Sequence, residues 1–209
     1  MRERIEDRVP DTVLFLEHEP VVTLGVSARE ANVLASPDIL RQRGVERVRA
    51  SRGGDVTWHG PGQVVMYPIL KLEGTEATVH GYVERLEETA IRAAEDFGVR
   101  AFRRPGKTGA WTDAGKLAAI GVRVRRWVTC HGMSFNVDPD LSVFDLIVPC
   151  GLRGERVTSL RALLGPRACP SLARVRDSLC RHFGAVMGRE MGEAVLPAEL
   201  LEEDVEHKG

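Results

Sequence analysis

One glycine-rich segment, SRGGDVTWHGPGQVVMYPIL at residues 51–70, constrains the fold more than any other part of the chain. The pair Gly53-Gly54 lets the backbone adopt positive φ or approach a ligand closely, and Gly60-Pro61-Gly62 forces a turn. The apolar run over 63–70 then predicts a buried strand. His59, a titratable side chain, stands between the two groups of glycines. The segment is either a wide loop between strands or a loop that binds a ligand, and its spacing alone does not choose.

Composition narrows the class of protein. The chain has 209 residues, 43% of them hydrophobic, which is enough for one fairly large domain with a real core. Its 29 basic and 30 acidic residues nearly cancel, so the overall charge gives no argument for a nucleic-acid partner. No apolar run approaches the roughly 20 residues that cross a bilayer, and the charged N-terminus lacks the apolar part of a signal peptide. We expect a cytoplasmic protein that binds neither nucleic acid nor membrane.

Apolar patterns predict several strands. Residues 13–25 indicate extended structure broken at Pro20, and residues 45–49 indicate a short strand that leads into the glycine-rich segment. A hairpin is expected over residues 109–128, with its turn near residues 113–115.

Helices are expected in three places. Ser36-Pro37 is a good start for the first helix, and Gly44 is its expected end. Apolar residues at steps of three and four predict a long helix over residues 79–97 followed by Gly98. The same spacing predicts an amphipathic helix from residue 172 that ends at Gly184.

Strands mixed with a few covering helices place the chain in the α/β (α+β) class. The sequence shows no internal repeat and no linker long enough to divide it, so we expect a single domain over residues 1–209. The tail over about residues 197–209 is charged, and we expect it to be peripheral and to carry no chemistry.

The four cysteines have no CxxC pairing and are expected to be reduced thiols. Cys150 differs from the others because a strand-like apolar run from residue 143 ends at Pro149-Cys150-Gly151, where a turn would expose the thiol to a substrate. Cys180, by contrast, has the helical setting of a structural cysteine. Local context leaves both a structural and a nucleophilic role open for Cys150. Cys130-His131 has no second pair at zinc-like spacing, so no metal site is expected.

A nucleophilic cysteine needs a neighbour that favours its thiolate. Over residues 120–125 apolar side chains alternate with glycine and arginine, and the same alternation extended backwards places Lys116 on the inward face with Ala118. A lysine there would stabilise a thiolate and, when neutral, accept a proton. Alternatively, Lys116 lies in the turn and contacts water. His59 and His131 are further candidates, although a histidine followed by glycine is more often a loop residue.

Two basic clusters interrupt the otherwise balanced charge. RRPGK spans residues 103–107 and RVRR spans residues 123–126. Each is either a solvated face or a docking patch for an acidic partner, and the sequence does not say which.

Four blocks, read together and in order, resemble the octanoyltransferases of lipoate biosynthesis. They are EHEPVVTLG (17–25), RGGDVTWHGPGQVVMYP (52–68), GKLAAIGVRVRRWVTCHGMSFNV (115–137) and IVPCGLRGERVTSL (147–160). Trp58 occupies a position where that family more often has Tyr or Phe. The combination is specific, whereas a lone RGG would carry little weight.

The resemblance implies a biotin/lipoate ligase-like fold with one catalytic domain and no cofactor. It also implies that Cys150 is the nucleophile and that Lys116 shifts the thiol towards its thiolate and accepts a proton. The implied acyl-binding residues are Arg52, Gly53, Gly54, Asp55, Val56, Thr57, Trp58, His59, Ala119, Ile120, Gly121, Gly132, Met133 and Ser134.

We further expect Val64 and Met66 to wall a narrow apolar slot that the glycines keep open. Arg52 and His59 would donate hydrogen bonds near its mouth, where an acyl oxygen develops charge. All four residues lie in the block over 52–68.

The implied reaction moves an octanoyl group from acyl carrier protein to a lysine of lipoyl domains, in 2-oxoacid dehydrogenases and in the glycine cleavage H protein. The thioester on the enzyme would form without ATP, because one thioester replaces another. Three alternatives remain: an ATP-dependent lipoate ligase, a cysteine hydrolase that pairs Cys150 with His59 or His131, and a non-catalytic acyl-binding module.

Overall fold

The computed structural model describes residues 1–74 and 77–194, so the predicted charged tail lies outside the described residues. The strands are β1 (Thr12–Leu16), β2 (Val21–Leu24), β3 (Glu46–Arg49), β4 (Val56–His59), β5 (Gln63–Ile69), β6 (Phe102–Arg104), β7 (Lys107–Thr112), β8 (Gly115–Arg125) and β9 (Val128–Asn136). The helices are α1 (Arg2–Ile5), α2 (Pro37–Gln42), α3 (Val79–Glu95), α4 (Leu160–Leu164) and α5 (Leu172–Met187).

The described strands form two sheets. The larger is antiparallel, with six strands in the order β1-β5-β9-β8-β7-β6. The smaller has the order β3-β2-β4, in which β2 runs parallel to β3 and antiparallel to β4. Because helices α3 and α5 pack on the larger sheet, the predicted α+β class is confirmed.

Two apolar clusters form the core. The main cluster joins the larger sheet to α3 and α5 through fully buried residues such as Tyr82, Phe135 and Leu179. The second cluster joins the smaller sheet to α2 and to a 3-10 helix over Leu141–Leu146, with Trp58 packed edge-on against Phe144. The candidate site described below lies where the glycine-rich loop of one sheet meets strand β8 of the other.

Most predicted boundaries are confirmed by their caps. The Ser36 hydroxyl accepts the amide of Ile39 at the start of α2, and Gly44 follows its end at φ +64°. The extended segment breaks at Pro20, between β1 and β2. Gly98 lies just beyond α3 at φ +74°, as the sequence predicts.

Two predictions fail. Helix α5 does not end at Gly184 but continues to Met187, and Gly188 provides the left-handed cap. Gly184 is needed inside the helix because a Cβ there would lie 2.8 Å from the carbonyl oxygen of Arg189 in the returning chain. The apolar run before Cys150 is a 3-10 helix capped by Asp140, not a strand, because so short an apolar run carries no clear periodicity.

Candidate active site

A cavity of about 400 Å³ opens along one edge of β8. Strand β7 pairs with β8 only as far as Ala118. Farther along this edge the Gly53 amide donates to the Val122 carbonyl, so the glycine-rich loop takes the place of a neighbouring strand. The gap between the end of β7 and this loop forms the mouth of the cavity. Gly121 permits the arrangement, since a Cβ there would lie 2.9 Å from the Gly53 oxygen.

The cavity brings together both predicted catalytic residues and every predicted acyl-binding residue except Trp58. Trp58 is the exception because its ring packs in the second core against Phe144. Its β4 neighbours Val56, Thr57 and His59 all border the cavity. Val64 and Met66, the other predicted walls, do not border the cavity and pack inside the main core.

The structure adds residues that sequence reasoning did not assign to the site. Their signals were present but ambiguous, because two of them belong to the apolar stripe of α3 and one closes the glycine-rich motif. The added lining residues are Tyr67, Val79, Val83, Gly106, Lys107, Thr108, Val122 and Leu152.

Cys150 and Lys116 face each other in this cavity, with Sγ 3.2 Å from Nζ. Lys116 is only 5% exposed, which excludes the alternative in which it lies in the turn and meets water. Its Nζ also lies 4.8 Å from the centre of the Trp111 ring, whose face attracts a cation. Cys150 itself has φ 55° and ψ 20°, a left-handed backbone that costs a non-glycine residue about 1 kcal/mol or more.

Lys116 reaches the cavity by a route that the alternation argument missed. In the pairing of β7 with β8, Trp111 opposes Lys116 and Ala110 opposes Ala118, so Leu117 is an extra residue that forms a β-bulge. Consecutive residues of β7 point to opposite faces, so Lys116 and Ala118 do too. The prediction that they share a face is therefore wrong, although the lysine itself is buried.

Backbone pairing fixes the segment after Cys150 beside Lys116. The amide of Lys116 donates to the Arg156 carbonyl, and the carbonyl of Lys116 accepts from the Thr158 amide, which makes a short parallel bridge. This bridge holds Lys116 of β8 close to the segment that follows Cys150 in the sequence.

A second tether holds the turn of Cys150 from the opposite side. The Asn32 side-chain amide donates to Asp55 at 2.6 Å, and the Asn32 carbonyl accepts the Val148 amide at 2.7 Å. Gly151 packs so closely that a Cβ would lie 2.5 Å from an Asp55 carboxylate oxygen. Asn32, which sequence reasoning did not single out, thus links the glycine-rich loop to the turn of Cys150.

Arg52 acts as a clamp for the loop and not as the predicted donor to a substrate. Its Nε and Nη2 donate to Thr23, and its Nη1 donates to the carbonyls of Gly53 and Asp55. These five bonds occupy all five guanidinium N–H groups. No donor remains for an acyl oxygen.

A chain of hydrogen bonds sets the proton position on His59. The Thr158 carbonyl can only accept, so it takes the side-chain amide of Asn136 and leaves Asn136 Oδ1 to accept from Gln63 Nε2 at 2.8 Å. Gln63 Oε1 then faces His59 Nδ1 at 3.2 Å, which places the ring proton on Nδ1.

Burial keeps this imidazole neutral. It lowers the pKa of His59 from 6.5 to about 3, an effect that nearby His18 reinforces. His59 Nε2 is therefore an acceptor, and the prediction that His59 donates to an acyl oxygen is not supported by its tautomer.

Two more histidines border the same region. His18 Nε2 lies 2.8 Å from the Tyr67 hydroxyl, and burial raises the pKa of Tyr67 to about 12, so this hydroxyl stays protonated. His131 lies within β9 at φ 57° and contacts Ser51 Oγ at 3.1 Å. His59 and His131 both belong to strands, which corrects the expectation that a histidine before glycine lies in a loop.

The other cysteines differ from Cys150 in their surroundings. Burial raises the pKa of the thiols of Cys169 and Cys180, and Cys130 lies in β9 outside the cavity. Among residues 1–74 and 77–194, no three His, Cys, Asp or Glu side chains converge as metal ligands, and no helix is long and apolar enough to cross a membrane.

The comparison with protein families matches residues 1–184 to the lipoyl protein ligase A/B catalytic domain. The chain belongs to this family. Two curated relatives are both named octanoyltransferase. The one from Acidobacterium capsulatum is 45% identical over 213 residues, covering 96% of this chain and 87% of the relative. The one from Pelobacter propionicus is 49% identical over 193 residues, covering 90% and 88%.

Solved structures of the family show the same fold. A lipoate-protein ligase A bound with ATP superposes with a TM-score of 0.76 at 17% identity, covering 92% of this chain and 79% of the ligase. An archaeal bipartite lipoate protein ligase from Thermoplasma acidophilum, studied with its E2 lipoyl domain, gives 0.75 at 17% identity, covering 97% and 83%. At such identities the likeness establishes the fold alone, and the predicted lipoate ligase-like fold is confirmed.

Proposed function

We propose that this protein transfers an octanoyl group from acyl carrier protein to a lysine of lipoyl domains, through a thioester on Cys150. The acceptors would be the lipoyl domains of 2-oxoacid dehydrogenases and the glycine cleavage H protein. The observation that carries the proposal is the 3.2 Å contact between Cys150 Sγ and the buried Lys116 Nζ. Family membership and relatives named octanoyltransferase support the same reaction.

The first half-reaction forms the acyl-enzyme. The Cys150 thiolate attacks the carbonyl carbon of the carrier thioester, a new carbon–sulfur bond forms, and the bond to the carrier sulfur breaks. The Lys116 ammonium, which stabilises the Cys150 thiolate before attack, gives its proton to the departing carrier thiolate. One thioester replaces another, so no ATP is needed, and Lys116 is left neutral.

The second half-reaction uses that neutral lysine. The amine of the lipoyl-domain lysine attacks the acyl carbon, the bond to Cys150 breaks, and Lys116 accepts the proton that the amine loses. The enzyme returns to its starting thiolate and ammonium. Since an amide is more stable than a thioester, this step runs downhill.

Apolar side chains near the pair suit an acyl chain. Val79 and Val83 of α3 and Ile120 and Met133 of the larger sheet border the cavity with Lys116. An eight-carbon chain laid along them is removed from water and held with its carbonyl at the nucleophile.

An ATP-dependent lipoate ligase is the second candidate, because such a ligase bound with ATP shares the fold. A ligase makes an acyl-adenylate and does not need a cysteine paired with a lysine. A cysteine hydrolase would instead need a histidine against Cys150, and the side-chain nitrogen that contacts Sγ here belongs to Lys116.

Intact-mass spectrometry separates these functions. Octanoyl-carrier protein alone is expected to add one octanoyl group that hydroxylamine removes, and a lipoyl domain without ATP is expected to take it up. Cys150→Ala should abolish the adduct, whereas Cys169→Ala, the matched control, should keep it. An adduct that survives in Cys150→Ala, or acylation that requires ATP, would contradict the proposal.

A further inference from the structure

The tip of the β8–β9 hairpin carries a patch that the active site does not use. We call it the arginine turn, and define it as Arg123, Arg125, Arg126 and Trp127. All four residues are exposed, and Trp127 is 49% exposed, unusual for a large apolar side chain. Within the described parts of the chain, none of the three arginines forms an ion pair or side-chain hydrogen bond.

The other basic cluster of the sequence is already neutralised. Arg103 bonds to Glu88 at 2.8 Å, Arg104 bonds to Glu155 at 2.7 Å, and Lys107 is paired with Glu155 as well. These partners hold the pKa of Glu155 down to about 2, so the cluster stays compensated at neutral pH. Of the two clusters, only the arginine turn presents uncompensated charge to a partner.

The arginine turn lies at the far end of the strand that borders the cavity. From Ala118 to Arg125 strand β8 pairs regularly with β9, so Arg123 and Arg125 lie on the same face as the cavity residues Ala119 and Gly121. Arg125 lies four residues beyond Gly121, or about 13 Å at ~3.3 Å per residue. A partner on this turn would sit outside the cavity, on the face of β8 that carries Ala119 and Gly121 and opposite the face that carries Ile120.

The two central residues of the turn have a strained backbone. Arg126 and Trp127 are its two central residues, and both have positive φ, at 50° and 61°. Such turns strongly favour Asn-Gly, because most side chains strain this conformation. An arginine and a tryptophan at this place are better explained by contact with a partner than by the stability of the turn.

We propose that the arginine turn docks an acidic face of the carrier protein that donates the acyl group. This inference rests on the proposed function. A donor docked about 13 Å beyond Gly121 can reach Cys150 only if it presents its thioester on an extended arm, so the proposal requires a carrier of that kind. The acceptor lysine must bring its own amine to the acyl carbon on a short side chain, so its domain has to dock at the cavity mouth.

Charge reversal tests the donor surface. Arg123→Glu/Arg125→Glu is expected to lower kcat/KM for octanoyl-carrier protein about tenfold and to remove most of its salt dependence. Transfer from octanoyl-N-acetylcysteamine, the same thioester without a carrier, is expected to change less than about twofold. Arg100→Glu/Arg167→Glu, two exposed arginines elsewhere with the same change in net charge, is the matched control.

The outcomes separate the docking surface from the reaction. Equal losses with both thioesters would overturn the docking role, and so would a change confined to the KM of the lipoyl domain. If the wild-type protein transfers from neither thioester, the proposed function itself fails, and the docking surface with it.

A second variant separates docking from structure. Arg126→Asn removes one charge and places at positive φ a residue that tolerates it. The Tm is expected to stay unchanged or rise, while the KM for octanoyl-carrier protein rises several-fold. An unchanged KM for the carrier would remove Arg126 from the docking surface, and a fall in Tm would overturn the strain argument.

Discussion

At the scale of single residues, the site depends on two side chains in unfavourable positions. Lys116 is buried with a thiol and an aromatic face as its neighbours, and Cys150 has a left-handed backbone. Each arrangement costs free energy in isolation, because a buried ammonium loses hydration and an L-residue strains at positive φ. The 3.2 Å contact between Lys116 Nζ and Cys150 Sγ makes the pair the natural target for variants.

The first prediction concerns the state of the Cys150 thiol. Without a cation beside it, a free thiol with a pKa of about 8.5 is only a few per cent thiolate at neutral pH. Lys116→Ala is therefore expected to slow alkylation of Cys150 by iodoacetamide at neutral pH, because it removes the side chain whose Nζ lies 3.2 Å from Sγ. Lys116→Arg should restore alkylation in part but not amide formation, since a guanidinium cannot accept a proton in proteins. Equal alkylation rates at neutral pH in the wild type and both variants would refute the role.

The second prediction concerns His59 and acid. Burial lowers the pKa of His59 from 6.5 to about 3. Below about pH 6.5 this histidine therefore binds a proton in the unfolded chain but stays neutral in the folded protein until the pH nears 3. Stability is thus lost as pH falls from 6.5 towards 3, by about 2–3 kcal/mol at pH 4.5.

His59→Gln removes this titration. Urea unfolding of both proteins at pH 7 and pH 4.5 measures the difference in acid sensitivity. A variant that loses as much stability as the wild type between these pH values would show that His59 titrates normally.

At the scale of elements, the limit of sequence reasoning is clearest in β8. Capped helices and the break at Pro20 were predictable, because each has a local cause in one or two residues. The bulge at Leu117 was not, because an extra residue in one strand shows only when the partner strand is known. The alternation argument therefore selected a lysine that is buried against Cys150 while assigning it to the wrong face.

The same limit applies to the residues of the glycine-rich loop. The motif predicted the loop, and the resemblance assigned the loop to acyl binding. Neither predicted that every N–H group of the Arg52 guanidinium donates to Thr23, Gly53 or Asp55. Hydrogen bonds between segments far apart in sequence depend on the assembled fold. The role of Asn32 was not predictable for the same reason, because its hydrogen-bond partner Asp55 is 23 residues away in the sequence.

The third prediction tests the contact between the loop and the β8 edge. A methyl group on Gly121 would lie 2.9 Å from the Gly53 oxygen, so Gly121→Ala is expected to displace the loop. Overpacking of this kind costs about 1–3 kcal/mol, and kcat/KM for octanoyl transfer should fall by about tenfold or more. Gly192→Ala, where nothing lies within 4 Å, is the matched control. Full activity in Gly121→Ala would mean that the loop contact does not shape the site.

At the scale of the whole molecule, the cavity exists because a helix, two strands and a loop from both sheets leave a gap along β8. Val83 contributes from α3, Ile120 from β8, Met133 from β9 and Gly53 from the loop. The volume available to an acyl chain is therefore set by how α3 sits on the larger sheet.

The fourth prediction follows from that packing. Val83→Phe adds bulk on the α3 side of the cavity, so kcat/KM should fall more for an octanoyl thioester than for a butyryl thioester. The butyryl donor serves as the internal control, because it needs the same chemistry at Cys150 but less of the slot. Equal losses for the two acyl lengths would show that Val83 does not border the acyl chain.

The strand-like pairing of Lys116 with residues 156 and 158 also affects how the protein is made. During translation β8 leaves the ribosome well before residues 150–158 are synthesised, so the nascent chain contains the lysine without its sulfur partner. The glycine-rich loop, emerging earlier still, has no β8 edge to occupy until the hairpin forms. The thiol of Cys150 can therefore contact Lys116 only after all three segments have been synthesised and have packed on one another.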